Sequence, residues 1–160
     1  MPVENRSRTS ACETKVDVMT DSYRPVLRTQ ADLETAWRHL VRPLGFRTRS
    51  LWLLMIDDDH RPIPAVTEIS DLPAEPDDAS LHGLGELLVH LPPPGDAGRW
   101  ALLLSRPGRH RTDDHDRQWV AGLYATMRDH TIPFDVIHLA TDLEILPVPL
   151  DDVSGYLQAS

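Results

Sequence analysis

Apolar residues recur along this chain with two different periods. Leu33, Ala36, Trp37, Leu40, Val41 and Leu44 are spaced three and four apart, as on one face of a helix. Thr29, followed three residues on by Asp32, predicts the N-terminal cap of that helix, and Asp32 also suits the positive end of its dipole. Pro43 and Gly45 predict its end. From Ser50 to Ile56 the chain is almost wholly apolar, and from Ile63 to Ile69 it alternates roughly. The polar run 57–62 between them completes a predicted hairpin. Leu81, Leu84, Leu87, Leu88 and Leu91 predict a second helix with Ser80 as its cap; Gly83 and Gly85 either weaken it or let another backbone come close. Trp100 to Leu104 is a short continuous apolar run, as expected of a strand buried on both faces. Pro107 and Gly108 break the pattern, Thr112 is placed to cap a third helix, and Val120, Leu123, Tyr124 and Met127 form its apolar stripe. His130 to Pro133 stops that helix. Phe134 to Ala140 and Leu143 to Val148 read as two closing strands.

The predicted order is therefore α-β-β-α-β-α-β-β. It implies a single α/β (α+β) domain over residues 25–150, with a mixed sheet of about five strands and helices packed on it. The strand–helix–strand unit beginning at Trp100 requires a crossover, so its two strands are expected to be parallel neighbours. Residues 1–24 mix Ser, Thr, Asn and charges with few apolar residues and are expected to be a disordered tail. Residues 151–160 are expected to be a short C-terminal tail with room for one last turn.

Composition narrows the range of functions. A chain of 160 residues, 41% hydrophobic and 26% charged, has the make-up of one globular domain. Its formal net charge of −9 argues against nucleic acid and against an anionic membrane surface, since both ask for a basic face. Cys12 is the only cysteine, which excludes an intrachain disulfide and a cysteine-based zinc cluster. No apolar run reaches membrane-spanning length and no signal-peptide core precedes the domain, so the cytoplasm is the expected compartment.

Candidate chemistry concentrates between Ser105 and Asp116, where a buried strand gives way to a helix. Arg106, Arg109 and Arg111 near a helix N-terminus could bind an anion, but Asp113, Asp114 and Asp116 already fill that first turn and would repel it. The arginines are then expected to neutralise the aspartates. His110, Asp113, His115 and Asp116 offer the nitrogen and oxygen donors of a zinc hydrolase, without the i, i+4 spacing of helical histidine ligands. Ser105 could pair with His138 or His110 as a nucleophile, yet it stands outside any Gly-x-Ser-x-Gly elbow. Asp57, Asp58, Asp59 and His60 read as hairpin-turn residues, and His39, His82, His90 and His130 as helix-surface positions.

From about Pro25 to Val148 the layout resembles the JAB/MPN-type domain, most closely its RadC-like bacterial form. The matching pieces are the hairpin from Ser50 to Ile69, the strand and loop Trp100-Ala-Leu-Leu-Leu-Ser-Arg-Pro-Gly108, and the strand Ile132-Pro-Phe-Asp-Val-Ile-His-Leu139. The family carries a His-x-His-Pro loop and an aspartate that hold zinc, with a serine and an upstream glutamate assisting. Aligning Pro107 with the family proline puts Leu104 and Arg106 at the two histidine positions, Asp116 or Asp113 at the aspartate and Thr112 at the hydroxyl; no acid directly precedes the Ser50 strand to act as base. The resemblance thus implies a zinc-free relative used as a scaffold, within a family of bacterial, actinobacterial type.

The expected function is a non-catalytic protein-interaction or regulatory module with no cofactor, whose partner is another protein or a second copy of the chain. Arg106, Arg109, Arg111 and Trp119 are its expected anchors, because arginines and aromatics dominate protein interfaces. The alternatives are a metal-dependent hydrolase built on His110, Asp113, His115 and Asp116, and a small-ligand sensor.

Overall fold

The computed structural model describes residues 13–18, 24–93, 95 and 97–157. Among them are six strands and four helices: β1 (Glu13–Val18), α1 (Gln30–Leu40), β2 (Ser50–Ile56), β3 (Pro62–Ser70), α2 (Asp78–Val89), β4 (Arg99–Ser105), α3 (Asp114–Asp129), β5 (Ile137–Ala140), β6 (Ile145–Val148) and α4 (Leu150–Leu157). One sheet runs in the order β1-β3-β2-β4-β5-β6. The predicted hairpin pairs β2 with β3 antiparallel, and β4 lies parallel to β5, with α3 as the expected crossover between them.

Strand alternation builds three layers. On β2 and β4, Leu51, Leu53, Trp100, Leu102 and Leu104 join the core shared with α2, α3 and α4; Leu54, Ile56, Ala101 and Leu103 join the core shared with α1. All of β4 from Trp100 to Ser105 is buried, as its unbroken apolar run predicts. Trp37, wholly buried, anchors α1, and such a burial contributes on the order of 2–3 kcal/mol. The phenol of Tyr124, buried in this core, is satisfied: its Oη donates to the Val148 carbonyl at 2.8 Å and accepts from the Ile137 N–H at 3.1 Å, tying α3 to β5 and β6.

Four expectations are corrected. Residues 13–18, expected to be disordered, form β1, paired antiparallel with β3 from Glu13↔Ser70 to Val18↔Ala65. The outer edge of β3 offers a row of unpaired backbone groups, and pairing with it needs no apolar run. The remainder of the expected tail, up to residue 23, lies outside the described residues. The expected C-terminal tail is instead helix α4 as far as Leu157, with Val153 fully buried and Tyr156 Oη donating to Asp114 at 2.6 Å. Residues 158–160 of that tail also lie outside the described residues. The caps of α2 and α3 are Asp77 and Asp113, not Ser80 and Thr112. Each aspartate sits in extended backbone and accepts from the amide three residues on, a bond to which the carboxylate brings a full charge. Thr29 caps α1 as predicted, in a complete capping box with Asp32.

No helix among the described residues is long and apolar enough to cross a membrane.

Candidate functional site

The end of β4 turns sharply at Arg106, whose side chain folds back inside the loop it begins. Its Nε donates to both oxygens of Asp116 at 3.1 Å and its Nη2 to Oδ2 at 2.7 Å. The same guanidinium reaches the carbonyls of His110 at 2.8 Å and Arg111 at 3.0 Å. β2 and β4 pair so that Ser50 faces Ser105, which brings Arg49 alongside, and Arg49 Nη1 donates to Asp116 Oδ1 at 2.7 Å. Asp116 has no exposed surface and Arg106 only 5%.

Burial disfavours the Asp116 carboxylate, but the Arg106 donors, the Asp113 N–H and Arg49 outweigh it and hold its pKa below the ordinary carboxylate value. The Asp116 hydrogen bonds in turn raise that of Arg106, against the effect of burial.

Asp142 ties the neighbouring loops in the same manner. Its oxygens accept from the Gly108 N–H at 2.8 Å and the Phe46 N–H at 3.0 Å, and these two bonds depress its pKa. Gly108 stands at φ +109°, a backbone conformation that L side chains rarely adopt, so the turn depends on glycine. Loops 42–49, 106–113 and 141–144 are thereby fixed to one another at one end of the sheet. Beside them opens a cleft of about 590 Å³, floored by Ser50, Trp52, Glu68 and Ser70 and walled by Phe46, Arg47 and Thr48.

The predicted site residues fare differently. Arg106 and Trp119, expected as exposed anchors, are buried: Arg106 is consumed by Asp116, and Trp119 is 3% exposed with its indole N–H on the Pro73 carbonyl at 3.0 Å. Arg109 and Arg111 are exposed as expected, and Arg111 reaches Glu144 at 3.3 Å. His110, Asp113, His115 and Asp116 are not brought to a common point, since Asp116 faces the two arginines and Asp113 caps α3. Ser105 Oγ accepts from the Trp52 indole at 2.9 Å, which gives that hydroxyl a structural bond. His138, on β5 opposite Leu103 of β4, is fully buried, and neither ring nitrogen makes a hydrogen bond of good geometry.

Asp113 both caps α3 and braces Asp116, accepting from the Asp116 N–H at 2.8 Å while its own N–H donates to Oδ2 at 3.0 Å. Asp113→Ala is expected to cost about 1 kcal/mol, read as a lower urea midpoint at unchanged slope.

Sequence reasoning missed a second cluster. His82 and His130, read as helix-surface positions, and Glu86 place one donor atom each within 4.8 Å of the others. The i, i+4 spacing of His82 and Glu86 was visible; their approach to His130 depends on the packing of α2 against α3. The carboxylates of half-buried Asp57 and exposed Asp58 and Asp59 also gather, around a turn in which Asp57 Oδ1 accepts from the Asp59 and Arg61 amides at 2.9 and 3.0 Å, in keeping with the turn reading.

Comparison of the chain with protein-family models, with curated proteins and with solved structures returns no match.

Proposed function

We propose that the chain is a non-catalytic cytoplasmic interaction module that recognises another protein, or a second copy of itself, at the sheet end where loops 42–49, 106–113 and 141–144 meet. The observation that carries this reading is the buried Asp116 carboxylate, both of whose oxygens are taken by Arg106 and Arg49. The acid in this loop best placed for chemistry is committed to holding loops in register. A surface held in this way loses little conformational entropy on association. What it presents to solvent is Arg109, Arg111 and Leu143, the last 52% exposed, and arginine beside an aliphatic group is a composition suited to an interface.

The same observation supports the likeness to a JAB/MPN-type scaffold without its zinc site. Asp116 is a position matched to the family's aspartate ligand, and the cation it faces here is the guanidinium of Arg106, at a position matched to a zinc-binding histidine. The chain itself supplies the positive charge that the family obtains from a metal.

The test is a triple variant, Arg109→Ala, Arg111→Ala and Leu143→Ser. Sedimentation across a hundredfold concentration range would report self-association, and affinity capture from the expressing cells would report a partner. The expected result is association weakened tenfold or more at an unchanged melting temperature, the scale of losing interface hot spots. A chain that stays monomeric and retains the same proteins with or without the three changes overturns the reading.

A second reading, small-ligand sensing, draws on the 590 Å³ cleft beside Trp52 and Arg47. It predicts that some member of a small-molecule panel raises the melting temperature of the wild type and not of Trp52→Ala.

A further inference from the structure

We propose that His82, Glu86 and His130 form a site for one divalent transition-metal ion, zinc before others, which clamps α2 to the C-terminal end of α3. The site lies at the far end of α3 from the Arg106 loop, roughly 24 Å along a helix of 16 residues, so it stands independently of the function proposed above.

The geometry comes from two helices. His82 and Glu86 stand one turn apart on α2, and His130 is the C-cap of α3. Glu86 Oε2 lies 3.4 Å from His130 Nε2 and 3.9 Å from His82 Nε2. Ligands of a four-coordinate zinc with bonds of about 2.0–2.1 Å lie about 3.3–3.4 Å from one another. The Glu86–His130 pair already has that separation. His82 and Glu86 are 69% and 55% exposed and free to turn, so small side-chain rotations close the rest.

Two further features point to a ligand. His130 Nδ1 lies 3.0 Å from the Thr126 carbonyl, an acceptor that fixes the ring proton on Nδ1 and leaves the Nε2 lone pair facing Glu86 and His82. This is the arrangement in which a metal-binding imidazole is oriented by a second hydrogen bond. Gly85, one residue before Glu86, explains how the ring gets there. A Cβ at Gly85 would stand 2.4 Å from His130 Cε1 and 2.5 Å from Nδ1, so only glycine lets the imidazole lie across α2. Glycine inside a helix costs about 1 kcal/mol relative to alanine, and at this position the ring contact is what it makes room for.

The donor set decides the ion. Two imidazoles and one carboxylate suit a borderline cation such as zinc, whereas calcium and magnesium take oxygen ligands throughout. Three protein ligands leave a coordination position for water. No bond is made or broken at the site: the ion acts as a cross-link between two helices.

The experiment uses the full chain without a histidine tag, stripped with a chelator and titrated with Zn²⁺ by calorimetry, and with Co²⁺ by visible absorption. The expected result is one equivalent bound, a tetrahedral-type cobalt spectrum, and a higher melting temperature for the zinc form. His82→Ala, Glu86→Gln and His130→Ala should each weaken binding at least tenfold, as should Gly85→Ala, which keeps all three ligands but displaces the His130 ring. His82 and Glu86 are surface positions, so their variants keep the fold and carry the test if His130→Ala does not. A His110→Ala/His115→Ala control should bind as the wild type does. Absence of stoichiometric binding at micromolar zinc, equal binding by the His82 and Glu86 variants, or loss of binding in the control would each overturn the site and leave the three residues as an ion pair with an adjacent imidazole.

Discussion

Asp116→Asn is expected to lower the unfolding free energy by about 3–5 kcal/mol at neutral pH, the scale of removing one partner from a buried ion pair. The cause is the pair of guanidinium groups left behind. Arg106 is 5% exposed and cannot carry its charge to water, and Arg49, 11% exposed in its side chain, has little more freedom. An amide keeps the shape of the carboxylate but offers them no negative charge, and its NH₂ group points donors at donors. Arg106→Met/Asp116→Leu should recover part of the loss, because it removes the more deeply buried of the two stranded charges together with its desolvation cost, while Arg49 keeps the rest. The dependence on pH follows from the depressed pKa of Asp116. An unfolded aspartate titrates near about 3.9, and the folded one lies lower. The stabilisation is therefore complete above the unfolded value and is lost as the pH falls through the folded value. Asp142 is depressed in the same direction, but it is present in both proteins and its acid loss falls out of their difference. Urea unfolding at pH 7 and at successively lower pH should show the gap between wild type and Asp116→Asn large at pH 7 and closing below about pH 4. A cost under about 1 kcal/mol at pH 7 would mean that the pair is no more than a surface salt bridge.

That pair also marks the limit of what periodicity can read. Strand β4, the β2–β3 hairpin and the parallel β4–β5 pair were legible because β4 is apolar without a break and because the hairpin and crossover follow from turn residues and segment length. The cap of α1 was legible because a capping box is a local pattern. Strand β1 was not, because the composition of residues 1–24 outweighed a short alternation of charged residues (Glu13, Lys15, Asp17) with β-branched ones (Thr14, Val16, Val18). Trp119 was misjudged as a surface anchor because of how α3 packs. The stripe Val120, Leu123, Tyr124 and Met127 describes a helix packed along one face, but α3 is covered by the sheet, by α2 and by α4, so Trp119 and Ala121 are buried as well. The loop arginines were expected to neutralise the neighbouring aspartates, and Arg106 does so with Asp116; nothing local signals that Arg49, 67 residues from Asp116 along the chain, closes a cage around that carboxylate. The His82, Glu86 and His130 group is hidden for the same reason. Chemistry made by one element is legible in sequence, and chemistry made where two elements meet becomes visible only once they pack.

His138→Leu is expected to stabilise the protein by about 1–3 kcal/mol at pH 7, the range for a buried polar group without a good partner. His138 has no exposed surface, lies opposite Leu103 in the parallel β4–β5 pair, and leaves both ring nitrogens without a hydrogen bond of good geometry. Burial lowers its pKa, against smaller opposing contributions from the Val136 backbone and the Glu34 and Asp135 carboxylates. The folded ring is therefore neutral at pH 7, while an unfolded histidine gains a proton near about pH 6.5. Below that pH the unfolded state binds a proton that the folded state refuses, so the wild type loses stability as the pH falls from about 6.5 through the lowered folded value. Leucine has no such proton to gain, and the advantage of the variant should widen between pH 7 and pH 5. His138→Gln separates the two causes: it keeps an unsatisfied polar group in the core but does not titrate, so it should show no gain at pH 7 and yet lack the extra acid loss over this interval. Equilibrium unfolding of the three proteins at pH 7, 6 and 5 is the measurement. A leucine variant less stable than wild type at every pH would mean that the imidazole fills its space in a way its missing hydrogen bonds conceal, and a constant gap from pH 7 to 5 would mean that the ring takes up its proton in the fold as readily as in the unfolded chain.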